Sequence, residues 1–157
     1  MAEYDGITHF LKAAPRRLAD ALELLQNPTI EPTKSDAKHR HLRAAVYLAG
    51  YVVECILKAY VISRSAGSQT LRDACSTMRR KGITVPDLSS AKGHSIPTLL
   101  SLTDLEESPP DAIRQSLGIC SKWRSTWRYC PEPPVRAEAE AFVRAAEMIL
   151  QYVRARV

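Results

Sequence analysis

None of the four cysteines, Cys55, Cys75, Cys120 and Cys130, stands in a C-x-x-C pair, so zinc-ribbon and thioredoxin-type readings have no support. The first ten residues, MAEYDGITHF, lack the basic start, apolar run and small-residue cleavage site of a secretory leader. The expectation is a cytoplasmic chain whose thiols stay reduced. No stretch alternates apolar and polar residues between turn signals, which leaves no candidate strand. Internal repeats and low-complexity tracts are missing as well. Charge of one sign is never gathered into a long block: 22 Lys and Arg are interspersed with 17 Asp and Glu. The formal net charge of +5 suits a polyanionic partner such as RNA, DNA or a nucleotide, but with the two signs interspersed a mixed, solvated surface is the better explanation.

What remains after those exclusions is helix. Ala, Leu, Arg, Glu and Val dominate every long segment, and 157 residues with 45% hydrophobic content suffice for one domain, 1–157, with a sizeable core. Spacing predicts a first helix from Ile7 to Gln26, with Phe10, Leu11, Ala14, Leu18, Ala21, Leu22 and Leu25 on one face and Pro15 as a kink point. Pro28 and Pro32 break it. Ser35 is suited to cap a second helix, which runs from Asp36 to about Ser65 and stops near Gly67. A shorter helix follows from Gln69 to Lys81, closed by Gly82. VPDLSSAKGHS reads as an irregular connection and IPTLLSLTDL as a short helix. SPPDAIRQSLGICSKWRSTW reads as another helix with Pro109 or Pro110 in its first turn, and CPEPP as a break. The last helix extends from Val135 to about Arg156. The expected fold is all-α, an antiparallel up-and-down bundle of four to six helices.

The most apolar stretch, AAVYLAGYVVECILKAYVI from Ala44 to Ile62, is long enough to span a bilayer. Glu54 and Lys58 lie in its interior half, where each charge costs ~2.5–3.5 kcal/mol in lipid, so a helix buried in a soluble bundle is expected and no membrane. At 100° per residue, Tyr47, Tyr51, Glu54 and Lys58 fall in one stripe roughly 60° wide. Glu54 and Lys58 are spaced i, i+4 in the favourable order, which predicts an ion pair. A desolvated pair needs further hydrogen bonds, for which Arg124, Arg128 and the two tyrosine hydroxyls are candidates. The stripe either fixes helix register or lines a ligand cleft. Gly50 costs about 1 kcal/mol relative to alanine in mid-helix, and so predicts a close approach by another backbone, which Ala45 and Ala49 would also permit.

In SKWRSTWRY, Lys122, Arg124 and Arg128 interleave with Trp123, Trp127 and Tyr129, the composition of a phosphate- or base-contacting surface. The alternative packs Trp123 and Trp127 into the core with Cys120 and makes Tyr129 a hydrogen-bonded corner. KSDAKHRHLR, Lys34 to Arg43, opens the second helix, where it either favours a phosphate or forms a solvated first turn and a half. His39 and His41 are two residues apart and point to different faces, so neither a metal site nor a cofactor is expected.

Taken together, AVYLAGYVVECILKAYV, GHSIPTLL, KWRSTWRY and a final helix beginning near PPVRAEAEAF resemble the HEPN domain family, from about Ile7 to Ala155. The most specific part is A-x-Y-L-A-G-Y-x-x-E-x-x-L-K-A, from Ala45 to Ala59, and W-R-Y at Trp127 to Tyr129 supports it. The resemblance implies a HEPN-type bundle that homodimerises through its long second helix. It also implies a nucleotide- or RNA-binding accessory role, with a nucleotidyltransferase-type partner in a toxin–antitoxin or defence-type system. Catalytic members resemble one another in an R-x(4–6)-H motif that cleaves RNA without metal at a cleft between subunits. None of His9, His39, His41 and His94 follows an arginine at that spacing; Arg124 with Tyr129 gives R-x4-Y instead. A phenol with a pKa near 10 does not stand in for imidazole as a general base near neutrality. The chain is therefore expected to be non-catalytic. Two alternatives stay open: an endoribonuclease with a divergent site built from Arg124, Arg128 and His94 or His41, and a purely structural interaction protein.

Overall fold

The computed structural model describes residues 5–26, 37–86, 88, 91–129 and 134–157, with backbone only for 37–40, 91–92 and 128. The expected break at Pro28 and Pro32, the Ser35 cap, Cys130 and most of CPEPP lie outside the described residues. The described residues form six α-helices: α1 Ile7–Gln26, α2 Ala37–Ser63, α3 Leu71–Arg80, α4 Ile96–Leu100, α5 Asp111–Cys120 and α6 Arg136–Arg154. Two 3-10 turns, Ala91–His94 and Ser125–Tyr129, connect them. Among the described residues there is no strand, only one isolated antiparallel bridge between Gly6 and Thr70.

Local chemistry sets several of these ends. Gly82, at φ of 79°, takes the left-handed conformation that side chains resist just past the Lys81 cap, and so closes off α3; Gly67, at 76°, takes it in the turn four residues beyond α2. Thr70 Oγ1 accepts the Asp73 N–H at 3.1 Å and starts α3, and Ser95 Oγ accepts the Thr98 N–H at 3.4 Å at the start of α4. α1 runs unbroken through Pro15.

The helix expected to continue through Trp127 ends instead at Cys120. Ser121 turns both its N–H and its hydroxyl back to the Leu117 carbonyl, at 2.8 and 2.7 Å. The chain then leaves the helical path, and Trp123 folds inward. The VPDLSSAKGHS connection likewise contains the turn Ala91–His94, which delivers His94 to the bundle.

α2 is the central helix, packed by α1, α3, α4, α6 and the Ser125–Tyr129 turn. Phe10 in the first turns of α1 lies under Lys58 near the end of α2, so these two helices are antiparallel. Arg136 at the start of α6 reaches the Leu25 carbonyl at the end of α1, and Ser116 of α5 meets Met148 of α6. α1 is thus antiparallel to both α2 and α6 in a helical bundle, and α2 and α6 run in the same direction, with Val46 early in α2 beside Phe142 early in α6. Val52, Val53, Ile56 and Leu57 of α2 are fully buried together with Ala146 and Ile149 of α6. A second, smaller cluster joins Val61 and Ile62 to Leu71, Ala74, Cys75, Met78 and Val85. The stretch His41–Ser63 has the length and hydropathy of a membrane span, yet 78% of its most apolar window is buried inside the protein. Its apolar circumference serves the bundle core.

Candidate functional site

The polar stripe on α2 forms as its spacing predicts. Lys58 Nζ donates to Glu54 Oε1 at 2.7 Å, with Glu54 only 3% and Lys58 7% exposed. One turn earlier, the Tyr47 and Tyr51 hydroxyls meet at 3.0 Å, and their rings stand edge to face, 5.0 Å apart. The predicted help from Arg124 does not arrive. Its guanidinium donates to the Ser121 and Trp123 carbonyls, both at 2.8 Å, and so it caps its own turn at the surface. The Arg128 side chain lies outside the described residues. Tyr129 is 73% exposed, a surface ring rather than a packed corner.

The third partner of the ion pair is His94. Its Nδ1 lies 3.0 Å from the same Glu54 oxygen, while its side chain remains 41% exposed. An ionised carboxylate only accepts, so His94 Nδ1 donates in this contact and Nε2 lies on the other side of the ring. Glu54 Oε2 is buried without a hydrogen-bond partner among the described residues. Lys58 also sits 5.7 Å from the centre of the Phe10 ring, a cation–π contact. The cluster therefore holds one buried carboxylate, one buried ammonium and one imidazole that connects them to the surface.

Gly50 is approached as its mid-helix position predicts, but by a side chain rather than a backbone. A Cβ built there would fall 2.0 Å from Trp123 Nε1. The indole is fully buried and packs on Tyr51 and Tyr47, with ring centres 5.2 and 6.2 Å away. Missing a side chain at position 50 is what lets Trp123 lie on α2. Trp127 packs on Phe142 of α6, with centres 6.1 Å apart, and remains half-buried.

Beside this aromatic cluster is a pocket of about 370 Å³ between α2, α5, α6 and the Ser125–Tyr129 turn. Val46, Ile119, Trp127, Ala141 and Phe142 line it, with Lys122 and Glu138 also on its walls. Sequence reasoning singled out Lys122 and Trp127 but not the rest. Phe142 and Val46 carried only core signals, and nothing at Ala141 or Glu138 points to a pocket until the helices are docked.

The thiols among the described residues are poorly suited to nucleophilic chemistry. Burial, and next the Glu54 charge, push Cys55 up to about 11, and burial pushes Cys120 up to about 12, so little thiolate exists near neutrality. No group of three or more His, Cys, Asp or Glu side chains suited to a metal ion occurs among the described residues. Compared with protein-family profiles, curated proteins and solved structures, the chain matches none.

Proposed function

We propose that the chain is a HEPN-like accessory module that binds nucleotides or single-stranded RNA without cleaving them, in company with a nucleotidyltransferase-type protein. The observation that carries this reading is the surface run 122–129. Lys122, Arg124 and Tyr129 are exposed there, and Trp127 is half-buried next to the pocket. Two cations, Lys122 and Arg124, beside two accessible rings, Trp127 and Tyr129, suit a strand whose phosphates need charge and whose bases need a surface to stack on. The non-catalytic part of the reading is supported by Arg124, which is occupied by its own carbonyls, and by Tyr129, a phenol at the place where the R-x(4–6)-H motif carries imidazole. A homodimer would meet across the half-exposed side of α2, where Ala44, Leu48, Tyr51 and Cys55 share one face.

A second reading is favoured by one specific contact. Glu54 fixes His94 with Nε2 outward, the arrangement of a general base oriented by a carboxylate, and so the chain is alternatively a metal-independent endoribonuclease with a divergent site.

One experiment separates the readings. Labelled single-stranded RNA is incubated with the protein without added metal, and both anisotropy and chain length are followed across a salt series. Binding that weakens with salt while the RNA stays intact supports the module, because phosphate contacts release counterions. Cleavage abolished by His94→Ala supports the nuclease. Intact RNA with no binding removes both and leaves an interaction protein.

A further inference from the structure

The pocket beside Trp127 has a more specific geometry than a general RNA surface needs. Trp127 and Phe142 touch each other at a tilt of 52°, so they cannot sandwich a guest between them. They offer it one aromatic face, backed by the apolar Val46. Two ionic groups come from different elements: Lys122 from the turn after α5, and Glu138 from α6. Lys122 is exposed and makes no ion pair among the described residues. Glu138 is held by the start of its own helix, accepting the Val135 N–H at Oε2 at 3.3 Å, which leaves Oε1 as an acceptor. The volume of about 370 Å³ is at the lower end for ligand pockets. That suits one small guest, whereas a partner helix needs a long groove.

We infer that this pocket takes one unpaired purine nucleotide, guanine above all, with its base on Trp127, its N–H edge on Glu138 and its phosphate on Lys122. A flat guest follows from the single aromatic face. The orientation follows from charge, since a phosphate beside Glu138 would be repelled. The base follows from the inventory of donors: a carboxylate only accepts, guanine presents two adjacent N–H donors on one edge, and uracil flanks its single N–H with two carbonyl acceptors. The inference rests on the proposal that the 122–129 surface binds RNA, and it names which part is held: a base turned out of its stack.

The test is calorimetry with 5′-GMP, 5′-AMP and 5′-UMP, in parallel with binding of a labelled single-stranded RNA. Three variants are compared with the unmodified protein. Ala141→Trp fills the pocket from an exposed position, Glu138→Gln keeps an acceptor for Val135 while removing the charge, and Lys122→Ala removes the cation. GMP is expected to bind roughly tenfold more tightly than UMP, because guanine offers N–H donors to the charged Oε1 where uracil sets carbonyl acceptors beside its single N–H. Ala141→Trp is expected to abolish binding of all three nucleotides. Glu138→Gln should erase the preference for GMP, and Lys122→Ala should reduce the salt slope by about one.

If RNA binds the unmodified protein but nucleotides do not, or if Ala141→Trp leaves nucleotide binding intact, the pocket assignment is overturned and the RNA-binding proposal survives. If neither RNA nor nucleotide binds, both fall. Should Ala141→Trp lower the unfolding midpoint, Glu138→Gln alone decides: an unchanged GMP preference overturns the assignment.

Discussion

Replacing Gly50 with alanine should destabilise the protein, although alanine is the better helix former. On an exposed helix the change gains about 1 kcal/mol. Here the new methyl would lie 2.0 Å from Trp123 Nε1, 2.2 Å from Cε2 and 2.3 Å from Cδ1. Ordinary contact begins near 3.4 Å, so the indole must retreat by more than an ångström. It is rigid, fully buried and backed by Tyr47 and Tyr51, and no small shift relieves the overlap. Expelling a buried Trp costs about 3–5 kcal/mol by analogy with its truncation. After the helical gain, Gly50→Ala is expected to cost about 2–4 kcal/mol.

The sign should reverse once the ring is gone. In a Trp123→Ala background the overlap disappears and only the propensity gain remains, so the same Gly50→Ala change should stabilise by about 1 kcal/mol. Urea unfolding of the four proteins of this cycle, followed by far-ultraviolet circular dichroism at constant m value, measures both effects. If Gly50→Ala leaves the midpoint unchanged or raises it while Trp123 is present, the reasoning fails, because the indole cannot then lie where position 50 needs space.

Three further outcomes are expected. Lys58→Met alone leaves the Glu54 charge buried and uncompensated and should cost about 3–5 kcal/mol in urea unfolding, whereas Glu54→Leu combined with Lys58→Met should be near neutral or stabilising; equal losses for both would remove the ion pair as the cause. His94→Ala should cost only about 1 kcal/mol in the same assay, since one hydrogen bond is lost and the ring is already half in water. Stability should fall at alkaline pH: the Cys120 thiol is pushed from 9.0 to about 12 by burial, so its contribution is complete below pH 9 and is lost as pH rises toward 12, because the unfolded chain releases the proton first. Unfolding midpoints from pH 8 to pH 11 check this, and the decline should be shallower in Cys120→Ala.

The sequence spoke most clearly where local periodicity decides. α1 begins and ends at Ile7 and Gln26 as its spacing predicts, and α2 at Ala37 and Ser63 lies within two residues of its expected ends. The Glu54–Lys58 contact followed from i, i+4 order alone. Gly50 signalled a close approach, but a missing Cβ is equally compatible with a facing backbone and with a facing ring. Only the docking of Trp123 from 73 positions further along the chain selects between them. His94 was invisible as the partner of Glu54 for the same reason: the two are 40 residues apart, and a 3-10 turn that no spacing rule marks brings them together. α5 was read too long because helix propensity runs on through SKWRSTW, while the tertiary gain from burying Trp123 ends the helix at Cys120. The pocket belongs to this second class, since its walls come from three helices and a turn.

The bridge between Gly6 and Thr70 gives the fold two tiers. Ile7 N–H donates to the Gln69 carbonyl and Leu71 N–H to the Asp5 carbonyl, so the chain ahead of α1 is clasped to the start of α3. Beyond that clasp, α3 is tied to the protein mainly through the small cluster with Val61 and Ile62. With Ile7 and Phe10 of α1 also packed on that cluster, the same few residues at the start of α1 join α3 to the bundle by backbone hydrogen bonds and by apolar contact, so local opening of α3 has to break both together.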